Sequence, residues 1–395
     1  MTGKRPPSPG LIPNPFIKKR NLEWTLDSSA PSQTTTTTSN VESGSVAVHN
    51  HLSHFKDHLS KHIAIPSQLS IPQYSSLYTT NTGSPEGAHF VIHQHDHPIA
   101  GTHYDLRLQI NETSSASWAI INATETRIHC LWNHLIETAS AYTGSLLIWD
   151  TGTYSILPHR SKHSPSTDPS SPPSSPSLSS TSTQQTLLHT AFQNRKIRIQ
   201  LHGSRLPDPY VLNLRLTNSE DLAGRVRSGG THRKRQGRGV RTQARPETSE
   251  EDEVENNESE YVLANVDTDI NTDNLSAVEH EIRELENEEV SRTNAYPGAS
   301  NTIGSVHQRR WYLSLDRPAC GFIEKKTKGR SVWELENPEK TENKRPENGR
   351  LSYPFYVRGA DHERSVVTGR LGADILKDEG VNKLIQRRGW KPVLN

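Results

Sequence analysis

Cysteine is scarce, with Cys130 and Cys320 the only two in 395 residues. Two isolated cysteines offer neither a disulfide framework nor the spacing of a zinc site, and they fit a reducing compartment. Apolar residues are also few. They make up 31% of the chain, against roughly 45–50% in an ordinary globular sequence, and the mean hydropathy is -0.76. Much of the chain therefore lacks the means to bury a core. No apolar run approaches the roughly 20 residues of a membrane span, and the opening MTGKRPPSPG has no signal-peptide core. An excess of one charge is missing too: 45 basic against 44 acidic residues leave +1, so attraction to nucleic acid has to come from local patches. The expectation is a soluble, intracellular protein with no membrane partner.

What is present concentrates in residues 89–110, HFVIHQHDHPIAGTHYDLRLQI. Alternate side chains of a strand share a face. His103, Asp105 and Arg107 therefore project together, while Tyr104, Leu106 and Leu108 point the other way. On the preceding run Val91, His93 and His95 share a face, and a turn containing Pro98 and Gly101 folds that run back beside the second. Two imidazoles and a carboxylate from paired strands make a three-ligand site for a divalent metal, with an arginine placed to hold an anion. A His-x-Asp pair alone is more often solvated or satisfied by ordinary hydrogen bonds, so the weight rests on the longer string.

That string, Phe-Val-Ile, a His-containing turn and then His-Tyr-Asp-Leu-Arg-Leu, resembles the start of the 3′-phosphoesterase domain of bacterial DNA ligase D. The resemblance implies that His95, His103 and Asp105 hold Mn²⁺ or another divalent metal and that Arg107 binds phosphate. The stretch between the histidines is two residues longer than the family spacing. His97 has the usual distance to His103 and is the alternative first ligand. His134, in Trp-Asn-His-Leu-Ile, matches the family histidine of Glu-Asp-His-Pro-Leu, which acts on the phosphate and here could also protonate the leaving oxygen. Lys19, Arg20 and Asn21 resemble the family's Lys-Arg-Asp segment, which makes Arg20 a phosphate ligand, although three such residues near a terminus are more often a solvated tail. Two departures stand out. The loop between Trp118 and Arg127 is shorter than the family's, and the tyrosine expected beyond the histidine is Thr138, with Tyr142 as a substitute. The short loop either weakens the site or reflects an incomplete gene model.

The rest of the chain reads as a mainly β fold, a compact β-barrel with short flanking helices and long disordered insertions. Residues 1–84 are expected to be largely disordered apart from one helix over 51–65, where Leu52, Phe55, Leu59 and Ile63 recur at helical spacing. Its histidines, His51, His54, His58 and His62, have no carboxylate partner in that stretch and read as solvent-leaning. The barrel spans 85–316, interrupted by low-complexity insertions at 160–190 and 217–307. Its strands are expected at 117–121, 127–135, 144–154, from 195 on, 210–216 and 310–316. Trp149 and Asp150 read as structural, and the Leu-His-Gly-x-x-Leu ending at 201–206 matches the family's own. The second insertion carries a basic block, 231–245, an acidic run, 250–255, and one short helix over 275–285. Residues 317–395 form a C-terminal extension of unknown role, with a strand-like run at 353–357 and a helical run at 364–377.

By resemblance the activity is metal-dependent removal of a 3′-terminal ribonucleoside and then of the 3′-phosphate at DNA ends during repair, with a DNA ligase or other repair protein as partner. The basic block suggests a nuclear location, shared or not with the cytoplasm. Two rivals remain at this point. One is a non-catalytic end-binding or scaffold protein on the same fold. The other is an iron(II) oxygenase built from His103, Asp105 and a distal histidine such as His202.

Overall fold

Nine strands make one antiparallel sheet: β1 (His89–His97), β2 (Gly101–Gln109), β3 (Ser114–Ile120), β4 (Thr124–Cys130), β5 (Thr138–Ser140), β6 (Gly144–Ile156), β7 (Lys196–Gly203), β8 (Val211–Arg215) and β9 (Arg310–Leu315). Their order is β1-β2-β3-β4-β9-β8-β7-β6-β5, and β1 pairs with β6 as well. The coordinates are a computed structural model that describes residues 38–42, 46–82, 88–120, 124–158, 182–229, 290, 292–304, 308–327, 330–336 and 349–384. The helices used below are α1 (Thr38–Glu42), α2 (His51–Lys61), α3 (Ile71–Asn81), α4 (Gln184–Gln193), α5 (Asn218–Gly229) and α6 (Gly372–Asp378). A separate hairpin pairs β10 (Phe322–Thr327) with β11 (Arg330–Leu335). No helix among the described residues is long and apolar enough to cross a membrane.

Period-two alternation builds the strands. On β7, Ile197, Ile199 and Leu201 are buried while Lys196 and His202 are exposed, the pattern of a strand with one face on a core. The sheet carries a core on each side. Phe90, Ile92, Leu106, Leu108, Ala116, Trp118, Ile128 and Trp311 meet on one face. On the other, Val91, Leu146 and Ile148 pack against Phe55 and Leu59 of α2 and Tyr74 and Tyr78 of α3. Strand β1 is thus covered on both sides over most of its length, and His89, His93 and Gln94 are buried with it, while His95, Asp96 and His97 are half-buried.

Several local expectations change. The run 127–135 is not one strand: β4 ends at Cys130 and Leu131–Leu135 winds into a 3₁₀ turn. Residues 353–357 form no strand; Pro354 has no N–H to give to a ladder. Within 364–377 only the residues from Gly372 on are helical. Helix α2 stops at Lys61, its start capped by Asn50, whose side chain accepts from Ser53 N at 3.0 Å, and Ile63 beyond it is 50% exposed. Helices α3, α4 and α5 and the β10–β11 hairpin were not anticipated. Helix α4 follows the Ser/Pro-rich stretch and sends Leu188, Ala191 and Phe192 into the first core, where Phe192 stacks on Trp118 at 5.6 Å. The helix expected over 275–285 lies outside the described residues.

Asp150 has the structural part expected of it. Its fully buried carboxylate accepts from the backbone N–H groups of Thr151, Ser204, Arg205 and Leu206 and from the Ser204 hydroxyl, at 2.8–3.0 Å. This ties the end of β7 to β6. Gly203 leaves room for that carboxylate, since a Cβ there would sit 2.1 Å from Asp150 Oδ2. Gly203→Ala is therefore expected to lower unfolding free energy in a urea titration by about 3 kcal/mol, from overpacking and lost hydrogen bonds together. An unchanged midpoint would refute this account of the corner.

Candidate active site

Strand register decides which polar side chains meet. In β1 and β2, Val91 faces Arg107, His93 faces Asp105 and His95 faces His103. The row continues through Ser115, Ser117 and Ala119 of β3 to His129 and Arg127 of β4. Directly paired residues share a face, so one face of four neighbouring strands is lined with imidazole, carboxylate, guanidinium and hydroxyl groups. The opposite face of the same strands is the first apolar core. The turn from β1 to β2 is closed by Gly101 at φ 75°, a left-handed conformation that glycine adopts without steric cost.

His95, His103 and Asp105 converge, with one ligand atom from each lying within 4.8 Å of the other two. Backbone carbonyls fix both rings. His95 Nε2 donates to Thr143 O at 2.7 Å and His103 Nδ1 donates to Gly101 O at 2.9 Å. Neutral imidazole has one N–H, so His95 Nδ1 and His103 Nε2 keep their lone pairs. Those atoms face Asp105, at 3.8 and 3.7 Å from its carboxylate oxygens. Burial opposes ionisation of Asp105, but His95 and His103, when they carry a second proton at the atoms that face it, and the Arg107 cation together outweigh it and hold the carboxyl well below its ordinary value. Two oriented imidazole lone pairs and one carboxylate are a donor set that fits a divalent transition metal, with carbonyls orienting the imidazoles from behind.

Beside this set lie donors and an acceptor that the fold leaves unused. Arg107 Nη2 is 3.6 Å from Asp105 Oδ2, while its buried Nε and Nη1 have no hydrogen-bond partner among the described residues. His134, at the end of the 3₁₀ turn, is fully buried, and its Nε2 is likewise without a partner. Burial and the neighbouring charges of His89, Arg107, His93 and His129 push His134 well below the usual histidine range. Each such orphaned buried group costs about 1–3 kcal/mol unless a ligand completes it. The Arg107 donors suit an anionic group with oxygen acceptors, and the His134 nitrogen suits a group with a proton to give.

The remaining predicted residues fall out as follows. His97 Nδ1 accepts from the N–H groups of Ile99 and Ala100, so it serves the turn, and His95 is the residue grouped with His103 and Asp105. Arg20 lies outside the described residues, as do residues 121–123 of the shortened loop between Trp118 and Arg127, whose flanks belong to β3 and β4. Thr138 sits in β5 opposite Leu146, with its buried hydroxyl unbonded among the described residues. Tyr142 lies in the turn after β5. His202 is exposed, bonds Ser155 at 3.1 Å and is absent from the ligand group. The α2 histidines are not simply solvated: His51 stacks on Trp132, and His58 and His62 approach Glu379 and Asp378. Sequence reasoning missed His89, His129 and Glu42 as neighbours of the site. Burial raises the Glu42 carboxyl, and Arg107 and His95 offset part of that rise.

These buried imidazoles give the fold an acid dependence. Burial pushes His89 down to about 3 and His58 down to about 4, with His129 also well below its ordinary value. The unfolded chain binds protons near the ordinary histidine value, where the folded chain does not. Stability is therefore full above pH about 6.5 and falls as pH drops toward 3–4. Urea unfolding from pH 7 to pH 5 is expected to show a decline approaching 1.4 kcal/mol per pH unit for each such ring; a flat profile would mean that the rings are charged in the native state.

Comparison with curated proteins gives no match. Residues 93–214 of this chain match the model of the DNA ligase D 3′-phosphoesterase domain, which implies a 3′-phosphoesterase-type hydrolase function.

Proposed function

We propose that the chain is a divalent-metal-dependent phosphoesterase acting on 3′ ends of DNA, removing a 3′-terminal ribonucleoside and a 3′-phosphate in DNA repair, with Mn²⁺ as the metal. The observation that carries this reading is the convergence of His95, His103 and Asp105 beside the unbonded donors of Arg107. In this reading the three residues hold the ion, Arg107 and His134 face the phosphoryl group, and Arg20 is a further phosphate ligand. When bound, the ion supplies Lewis-acid polarisation of a phosphoryl oxygen. Arg107 does its part with fixed N–H groups, which stabilise charge growing on the other oxygens and need no reorganisation when it appears. The metal ligands and Arg107 lie on β1 and β2, and the second core packs against β1, so water is displaced from one side and the electrostatic terms are stronger than at a surface.

The finer parts of the proposal have their own support. A barrel is suggested by the pairing of β1 with both β2 and β6, and a phosphoesterase domain over 85–316 by the entry of β9 into the same sheet beside β8. A nuclear location, possible association with a DNA ligase or another repair protein, and action on DNA ends rest on the basic block 231–245 and on the family assignment.

The test is hydrolysis of a 3′-phosphate primer by the purified chain with manganese. Release of phosphate well above that of a ligand-site variant is expected. One observation favours a second reading: Thr138 stands where the family has a tyrosine. If metal and 3′-phosphate ends both bind but no phosphate is released, the chain is a non-catalytic end-binding protein instead.

A further inference from the structure

Thr151 gives its hydroxyl proton to the Phe90 carbonyl oxygen at 2.9 Å. His89 Nε2 lies 3.0 Å from that same hydroxyl oxygen. A hydroxyl has one proton to give, so in this contact the hydrogen belongs to His89 Nε2. Neutral His89 then has a bare Nδ1, and 2.9 Å from it stands Nδ1 of His134. That contact is attractive only if His134 Nδ1 carries the hydrogen. Neutral His134 is left with its lone pair at Nε2, buried and without a partner among the described residues. A chain of three hydrogen bonds, from a backbone carbonyl through Thr151 and His89, thus decides which nitrogen of His134 is exposed to chemistry. All the groups are buried: His89 is 2% exposed, Thr151 2% and His134 0%. Tyr78 of α3 closes the other side of His89, ring edge to ring face at 5.8 Å.

We propose that His89 is a positioning residue which, anchored by Thr151, locks His134 in the Nδ1–H form, so that His134 meets the phosphoester as a proton acceptor at Nε2. This assigns His134 a direction. From this form it has no proton at Nε2 to give a leaving oxygen, which replaces the acid role expected from the sequence. The step balances as follows. A water molecule gives one O–H proton to Nε2 while its oxygen bonds to phosphorus. The bond from phosphorus to the departing 3′ oxygen breaks with its electron pair, and that oxygen takes a proton from solvent. The imidazolium later returns its proton to solvent. Throughout, Nδ1–H stays bonded to His89, and Arg107, the nearby permanent cation, limits how long Nε2 keeps the proton. His93 and His129 are the other titratable groups within electrostatic reach of His134.

The catalytic half of this inference rests on the phosphoesterase reading; the tautomer half does not. The test therefore has two arms. Nitrogen-15 imidazole spectra of the metal-free chain at pH 7 are expected to show His134 protonated at Nδ1 alone. His89→Leu is expected to mix the two tautomers, and Thr151→Val, which frees the far end of the relay, to do so as well. His89→Asn is expected to restore the single form, because its side-chain oxygen can stand where Nδ1 stood. In the kinetic arm, with manganese and a 3′-phosphate primer, His89→Leu is expected to lower kcat roughly 100-fold, the usual worth of a positioned acid or base. KM should change little, and His89→Asn should recover most of kcat. A wild-type His134 protonated at Nε2 overturns the proposal, as does a folded, metal-binding His89→Leu with unchanged kcat. If the wild type shows the expected tautomer yet no turnover, the phosphoesterase reading fails while the positioning role stands.

Discussion

Asp105→Asn is expected to lower manganese-supported release of phosphate from a 3′-phosphate primer by more than roughly 100-fold, since even the outer partners of metal ligands cost 10- to 100-fold. Asparagine keeps the volume and one acceptor oxygen for Arg107 Nη2, now 3.6 Å away, so the fold should survive. What disappears is the negative charge. Two neutral imidazoles remain, and neither attracts a hard divalent cation as a carboxylate does. The effect should appear in the metal dependence: saturation moves to much higher manganese, and excess metal recovers only part of the rate. His97→Ala provides the contrast. Its ring serves the β1–β2 turn, and activity within a few fold of wild type is expected. Equal losses in the two variants would show that the turn, and not the ligand set, carries the activity.

The second large effect concerns stability, far from these strands in sequence. Glu137 follows the 3₁₀ turn that carries His134, and its carboxylate is 0% exposed. It accepts from Arg370 Nη2 at 2.8 Å, from the Thr368 hydroxyl at 2.7 Å and from Ile148 N at 3.3 Å. Arg370, 2% exposed, also reaches Asp378 of α6 at 3.0 Å. Removing one partner of a buried pair strands the other charge. Arg370→Ala is therefore expected to cost about 3–5 kcal/mol in urea unfolding. Replacing both together, Glu137→Leu with Arg370→Met, should cost distinctly less, because apolar groups of similar volume leave no uncompensated charge. The double variant being as unstable as the single one would mean that packing, not charge, is what Arg370 supplies. The contact also fastens residues 365–378 to the segment that positions His134, so Arg370→Ala should reduce hydrolysis even where the protein remains folded.

The sequence made the ligand set legible because its geometry is local. His103, Asp105 and Arg107 alternate on one strand, and His95 is brought opposite by a three-residue turn, so period two and a glycine suffice. The alternation of β7 was readable for the same reason, whereas Asp150 was read only as structural, and its partners Ser204, Arg205 and Leu206 lie 54–56 residues away. His134 was found by resemblance and not by periodicity, since the 3₁₀ turn breaks the pattern of β4 just before it. His89 could not be read as a positioning residue: its partner is 45 residues away, and its role depends on a hydroxyl on another strand. The Glu137–Arg370 pair spans 233 residues and is invisible to any local rule. The missed helices α3 and α4 carry few apolar residues among Ser, Thr and Gln; Ser70 and Thr183 cap their starts with their own side chains, a signal in the sequence that was passed over.

The central claim is that His95, His103 and Asp105 form one binding site for one divalent ion. Titration of the metal-free chain with Mn²⁺, read by electron paramagnetic resonance of the free ion, tests it most directly. One ion bound per chain is expected, with that binding lost in Asp105→Asn and in His103→Ala and kept in His202→Ala. No stoichiometric binding, or binding untouched by the Asp105 and His103 substitutions, would contradict the account.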